Sequence, residues 1–158
     1  MNNDERLRLR QLLVEQRWAA LATLADDGAP SVSFVAYVPE PDFAGFLIHV
    51  SRLAAHTRNL LARPRIALGV SAPDSGEGDP QLLPRLSIHG AVSIIARGTT
   101  EYDSARTLYL SRLPQAEQLF GFDDFVLLRL QPTEVRYVGG FARAYSLNGE
   151  QLRRLAAE

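Results

Sequence analysis

Hydrophobic and polar residues alternate along much of the chain, with the two-residue period of half-buried β-strands. Strands are predicted at residues 18–24, 31–38, 45–51, 66–71, 85–97, 124–130 and 134–139. The first two flank the sequence ADDGAP, in which Asp27 and Gly28 suit a tight turn with positive φ. They are therefore predicted to form a β-hairpin, and a turn at Pro132 is predicted between the last two strands.

Other segments have the 3.6-residue period or the capping residues of helices. Helices are predicted at residues 4–17, at 53–63, from about residue 100, after Pro114 and at 149–157, and an exposed Gly- and Pro-rich loop at 72–84. Pro64 ends the second helix because proline cannot continue it. Thr100 with Asp103 has capping-box spacing, and Asn148 is predicted to cap the last helix.

Strands in hairpin order, with helices between some of them, predict a mainly β fold of the α+β class. Residues 1–158 are predicted to form one domain, with a six- or seven-stranded antiparallel barrel or sandwich at about residues 18–140. The strand-helix alternation of a doubly wound sheet is missing, and so are the phosphate-binding patterns GxGxxG and GxxxxGK[ST]. A nucleotide cofactor would need another kind of site.

The composition narrows the class of protein. Of 158 residues, 46% are hydrophobic and 22% charged, as in folded globular domains. No apolar run approaches the roughly 18 residues of a membrane span, so no membrane contact and a cytoplasmic location are predicted. The chain has no cysteine and no lysine, which excludes disulfides, thiolate sites and a Schiff-base lysine. A net charge of −1 argues against a nucleic-acid surface, and no metal site is predicted.

Charge is distributed unevenly along the chain. No acidic residue occurs between Asp42 and Asp74, so residues 43–73 carry a charge of +4 from four arginines. The rest of the chain has 13 arginines and 18 acidic residues, which gives −5. An anionic ligand could bind in this window.

The end of the strand at residues 45–51 is where such an anion would bind. Ser51 could cap the following helix, while His56 and Arg58 lie at the edges of its apolar stripe. A helix N-terminus, a hydroxyl and a guanidinium together suit a phosphate dianion. Solvation and the helix macrodipole explain Arg63 and Arg65 without any ligand, so both interpretations stay open.

Four stretches of the chain together form a recognisable pattern: RWAALATLADDGAPSVSFVAYV, FLIHVSRLAAHTRNLLARPRIALGV, LPRLSIHGAV and FVLLRLQPTEVRYVGGFARAYSL. They resemble the pyridoxamine 5′-phosphate oxidase-like flavin-binding split barrels, and especially the branch of haem-utilisation (HugZ-type) proteins. The patterns SxLAxHTRNLxxxPR and RYVGGFxRAxxL are typical of that branch. The resemblance covers about residues 17–147 and implies a six-stranded antiparallel split barrel that forms a homodimer, with flavin mononucleotide (FMN) at the subunit interface.

The resemblance also implies which residues contact the cofactor. They are Ser31, Ser33, His49, Val50, Ser51, His56, Thr57, Arg58, Arg85 and Arg143. The junction at residues 49–58 would hold the FMN phosphate and ribityl chain. Arg85 stands where the oxidases place a glutamine near the isoalloxazine ring, and Arg143 would pair with flavin or with a ligand carboxylate.

The function that the resemblance implies is an FMN-binding oxidoreductase acting on a small molecule, with its catalytic residues unassigned. Ser31 and Ser33 replace an arginine of the oxidases, and the C-terminal basic cluster for a substrate phosphate is not evident, which argues against a true pyridoxamine phosphate oxidase. One alternative is a haem-binding or haem-degrading protein, with His49 or His89 near the iron. The other is a non-catalytic flavin-binding module. A lone strand histidine is more often a packing residue than a ligand.

Overall fold

One curled antiparallel sheet of eight strands forms the body of the protein, which a computed structural model describes over residues 1–157. The strands are β1 Trp18–Leu24, β2 Pro30–Ala36, β3 Val38–Pro39, β4 Phe46–Ser51, β5 Arg65–Ser71, β6 Arg85–Ile94, β7 Phe125–Val138 and β8 Ala144–Asn148. Their order across the sheet is β2-β1-β5-β6-β7-β4-β3, and β8 pairs with β7. Strands β2 and β4 also contact each other, so the sheet curls into the predicted antiparallel split barrel.

Four α-helices and two 3-10 helices connect or cover the strands. They are α1 Asn3–Glu15, α2 Ala55–Ala62, α3 Thr100–Arg112 and α4 Gly149–Ala156, with 3-10 helices at Pro80–Leu82 and Pro114–Gly121. Asn148 caps α4 in a full capping box, as predicted. The predicted cap of α3 is wrong by one residue, because Thr99 accepts the Tyr102 N–H at 3.1 Å. Among the described residues, no helix is both long enough and apolar enough to cross a bilayer.

The sheet differs from the predicted strands near its C-terminal end. The two strands predicted around Pro132 are one continuous strand, β7. The register between β6 and β7 shifts between His89 and Gly90, so that His89 pairs with Glu134 and Gly90 with Pro132. This bulge leaves Thr133 unpaired and accommodates a proline that has no N–H to donate. The short strands β3 and β8 account for the two strands beyond the predicted six.

The buried residues form two apolar clusters. The larger one fills the barrel with inward-facing strand residues such as Leu21, Ile48 and Ile88, and α1 and α4 cover one end of it. The smaller one lies on the other side of β4 and β7, where Leu47 and Leu127 pack against Tyr109 of α3 and its neighbours.

The outward side of β1, β2, β5 and β6 exposes large apolar side chains. Trp18, Val32 and Phe34 are 60%, 68% and 57% exposed. Between them and β6 the sheet carries small residues, since Ala20 pairs with Gly69 and Ala22 with Ala67. We call this outward side of the four strands the open sheet face. Its apolar surface is exceptional for an exposed side of a sheet, because outward strand positions are normally polar.

Candidate functional site

A cavity of about 780 Å³ opens on the open sheet face, across β1, β5, β6 and β7. The Trp18 and Phe34 rings stack at its edge, with centroids 6.0 Å apart and planes 14° from parallel. Gly69 belongs to its floor, and Arg85 and Arg136 reach it from β6 and β7. No acidic side chain lines it among the described residues. The cavity therefore combines a flat apolar surface with positive charge.

The two arginines of this cavity differ in the bonds that they already make. Arg85 donates to the carbonyl oxygens of Gln81 and Leu83 at 2.8 and 3.2 Å. Arg136 is exposed and has no hydrogen-bond or ion-pair partner in the described part of the chain. Its guanidinium is free to bind a carboxylate or phosphate in the bidentate geometry that arginine favours.

A second cavity of about 600 Å³ adjoins the first along β5 and β6. Apolar residues line most of it, and Arg65 adds a cation. His89 lines both cavities, and its Nε2 lies 3.0 Å from the Ser87 hydroxyl. The two cavities thus form one trough across the open sheet face, with a histidine where they meet.

The predicted phosphate site at residues 49–58 is arranged differently from the prediction. Ser51 does not cap α2, which begins at Ala55 with no side chain bonded to its first turn. The Ser51 hydroxyl instead donates to the Asp124 carboxylate at 2.5 Å and accepts the Leu53 N–H at 3.1 Å. The predicted capping role of Ser51 is therefore wrong. The Asp124 carboxylate also places a negative charge where the phosphate was predicted.

The other three residues predicted to contact the phosphate differ in their burial and in their hydrogen bonds. Arg58 is exposed and donates to the Leu53 carbonyl oxygen at 2.8 Å. His56 is half-buried on α2, and this burial lowers its pKa below the usual value for a histidine. Thr57 is fully buried, and its Oγ1 has no hydrogen-bond partner among the described residues.

The serines predicted on β2 lie on the barrel side of the strand, opposite to Val32 and Phe34. The Ser33 hydroxyl is buried and, like that of Thr57, lacks a partner in the described chain. Val50 is buried in the barrel core. Since α2 packs against β1 and β2, two buried hydroxyls without partners occur on elements in contact. A polar group of a ligand could satisfy them.

His49 lies in the smaller core under α3 and is only 7% exposed. Its ring stacks on Phe120 with centroids 3.8 Å apart and planes 8° from parallel. Burial first, and the charge of Arg97 second, lower the pKa of His49 to about 4. This histidine is neutral at pH 7 and packed by aromatic rings, and both of its ring nitrogens are buried without a hydrogen-bond partner among the described residues.

Arg143 pairs with a buried carboxylate of this same chain. Its guanidinium lies 2.8 Å from Glu5, whose side chain is 2% exposed. The hydrogen bond from Arg143 holds the pKa of Glu5 below its usual range despite burial. Arg143 is therefore occupied in fastening the loop after β7 to α1.

Of the ten residues predicted to contact a cofactor, Arg85 is the one that lines either of the two cavities of the open sheet face. The sequence analysis missed Trp18, Phe34 and Arg136. A signal was available in the β1–β2 hairpin, where Ser31 and Ser33 alternate with Val32 and Phe34. Such an alternation shows that one side of the strand is apolar. It does not show whether that side faces the barrel interior or the solvent.

Comparisons with known proteins agree on a family. The family described as pyridoxamine 5′-phosphate oxidase matches residues 7–139. The chain is 26% identical to a Vibrio cholerae protein named heme oxygenase HutZ, over 91% of this chain and 81% of that protein. It is 34% identical to an Arabidopsis thaliana protein named non-canonical heme oxygenase HOZ, chloroplastic, over 78% of this chain and 36% of that one.

A solved structure of a heme binding protein from Mycobacterium smegmatis superposes with a TM-score of 0.86 at 28% identity. The match covers 98% of this chain and 62% of the mycobacterial chain. The present chain thus spans about a third of the plant relative and less than two thirds of the mycobacterial protein.

Proposed function

Because the chain belongs to the pyridoxamine 5′-phosphate oxidase family and several relatives are named for haem, we propose that it binds haem on the open sheet face. The observation that carries this proposal is the 780 Å³ cavity with stacked aromatic rings, a floor of small residues and two arginines. Haem is a flat apolar ring with two carboxylates at one edge. This proposal places the haem alternative of the sequence analysis ahead of FMN.

The residues of the cavity fit the parts of such a ligand. Trp18 and Phe34 offer apolar ring surface, and Gly69 leaves space above the sheet. Arg136, which has no partner among the described residues, would pair with a propionate, and Arg85 could add a second contact. When bound, haem would supply iron redox chemistry, and the protein would supply position and charge.

Titration with hemin tests this proposal. We expect a Soret band to develop and saturate, with an affinity that falls when the salt concentration rises, because arginine-carboxylate contacts are screened. Addition of ascorbate under oxygen to the saturated sample then tests haem breakdown, the activity in the names of two relatives, through loss of that band. Free-hemin absorbance without saturation would contradict binding.

We propose further that a second copy of the chain packs on the open sheet face and encloses the ligand. Trp18, Val32 and Phe34 are all more than half exposed, and soluble monomers rarely expose large contiguous apolar patches. Sedimentation should give the mass of a dimer for the native chain and of a monomer for Val32→Glu. Thr107→Glu, at an exposed position on α3 that lines neither cavity of the open sheet face, is the control that should remain dimeric.

FMN at the strand-helix junction is a second candidate, favoured by one observation. The buried hydroxyls of Ser33 and Thr57 have no partner in the described chain, which suits a polar phosphate or ribityl group. Absorbance near 450 nm after addition of FMN would support it, and reduction of bound flavin by NADPH would separate an oxidoreductase from a simple flavin binder. Arg58→Ala should then weaken FMN binding more than Arg63→Ala, and a protein that retains no flavin would exclude this candidate.

A further inference from the structure

The position of His89 suggests a specific role within the proposed haem site. Haem iron in proteins is held by histidine, methionine, cysteine or tyrosine side chains. The chain has no cysteine, one methionine and three histidines. We infer that His89 ligates the iron of haem bound on the open sheet face, an inference that rests on the proposed function.

His89 occupies the centre of the trough, where the two cavities meet. It lies on the outward side of β6, with Ala67 of β5 on one flank and Glu134 of β7 on the other. The Ala67 methyl group is small, so the ring is not covered from the β5 side. The half-buried imidazole is therefore held by the sheet and open to a ligand.

A bulge fixes the backbone at this histidine. The β6–β7 register shifts between His89 and Gly90, and the Thr133 hydroxyl donates to the His89 carbonyl oxygen at 3.1 Å. A Cβ at Gly90 would lie 2.0 Å from the Gln131 carbonyl oxygen, so only glycine fits there. Bulges redirect side chains and are frequent beside functional sites. The bulge between β6 and β7 thus lies at His89 itself.

The His89 ring has one hydrogen-bond partner among the described residues, the Ser87 hydroxyl 3.0 Å from Nε2. This contact steadies the ring and leaves Nδ1 without a partner. A hydrogen bond between neutral groups is weak compared with a coordinate bond, so it does not prevent ligation. An orienting hydrogen bond to one nitrogen of a ligating histidine is common in metal sites.

The other two histidines are poorly placed for this role. His49 is sandwiched among rings of the smaller core, with Phe120 stacked on it at 3.8 Å. His56 is half-buried on α2 and lines neither cavity of the open sheet face. Four of the five tyrosines, Tyr37, Tyr102, Tyr109 and Tyr137, are buried.

Hemin titration of His89→Ala, with His56→Ala as the matched control, tests the inference. We expect His89→Ala to lower hemin affinity at least about tenfold and to shift the Soret and visible bands away from a histidine-ligated spectrum. Imidazole added to hemin-loaded His89→Ala should restore the bands, which a merely structural role would not produce. His56→Ala should behave as the native protein.

His89→Gln serves as a second variant, because its amide can still bond to Ser87 but does not replace a histidine ligand. A native hemin spectrum in both His89 variants would overturn the inference and leave the proposed haem function standing. Failure of the native protein to bind hemin would instead overturn the proposed function itself.

Discussion

The strand-helix junction and the open sheet face hold similar chemical groups, but these groups are bonded differently. At the junction, the Ser51 hydroxyl is bonded to Asp124, and the Arg58 guanidinium to a carbonyl oxygen of the same loop. On the open sheet face, Arg136 has no partner in the described chain, and the His89 ring bonds only to Ser87 there. The arginine of the predicted phosphate site is thus engaged, whereas Arg136 of the open sheet face is available.

This difference matters energetically. An anion at the junction must displace the contacts of Ser51 and Arg58 and meet the charge of Asp124. A hydrogen bond to a charged group contributes about 1.5–3 kcal/mol, so displacing such bonds removes much of what a phosphate would gain. An anion at Arg136 displaces only water. A local cluster of basic residues in a sequence is therefore, by itself, a weak indication of a ligand site.

Filling the cavity should give the largest effect. In Gly69→Leu, the added Cβ would lie 3.7 Å from the Ala20 Cβ, an ordinary contact, so the sheet should hold while the side chain occupies the trough. We expect hemin affinity to fall at least about 30-fold, or about 2 kcal/mol. Gly121→Leu, where nothing lies within 4 Å of the added Cβ and which lines neither cavity, is the control. Native affinity in Gly69→Leu would place the ligand elsewhere.

The pH dependence of stability tests the burial of His49 in the smaller core. The folded-state pKa of His49 is about 4, against 6.5 for an exposed histidine, so the unfolded chain binds more protons between those values. The free energy of unfolding should therefore fall as the pH drops from 6.5 towards 4, by about 2 kcal/mol at pH 4.5. Urea denaturation at pH 7 and at pH 4.5 measures this change in the free energy of unfolding.

His49→Phe is the matched variant, because phenylalanine keeps a ring against Phe120 and cannot titrate. Between pH 7 and pH 4.5, the free energy of unfolding of the native protein should fall by about 2 kcal/mol more than that of this variant. Hemin binding at pH 7 should be the same in both proteins. A loss of the Soret band in His49→Phe would mean that the smaller core takes part in ligand binding.

Most of the fold was predictable because the alternation of apolar and polar residues is strong in the barrel strands. The hairpin of β1 and β2 and the Asn148 capping box follow from short-range patterns. The continuity of β7 through Pro132 did not follow, because a bulge against a distant strand decides it. Strand β8 was missed because its alternation covers only five residues, and pairing with β7 stabilises it.

The candidate site was less predictable than the fold. The charge count located the basic window and the family resemblance predicted FMN or haem as the cofactor, but neither could predict that Ser51 bonds to Asp124, which lies far along the chain. The trough forms only when β1, β5, β6 and β7 pair in their observed registers. No local sequence pattern specifies that pairing. Arg85 was assigned by resemblance, whereas Arg136 had no distinguishing signal in the sequence.

Parallel hemin titrations of Arg136→Gln and Arg58→Gln test the contrast between the two regions most directly. Both variants remove one exposed arginine charge, so the overall charge of the protein changes equally. If the open sheet face holds the ligand, Arg136→Gln should bind hemin about tenfold more weakly, a difference of about 1.4 kcal/mol, and Arg58→Gln should stay within about twofold of the native protein. A tenfold loss in Arg58→Gln with native binding in Arg136→Gln would contradict this assignment and return the site to the strand-helix junction.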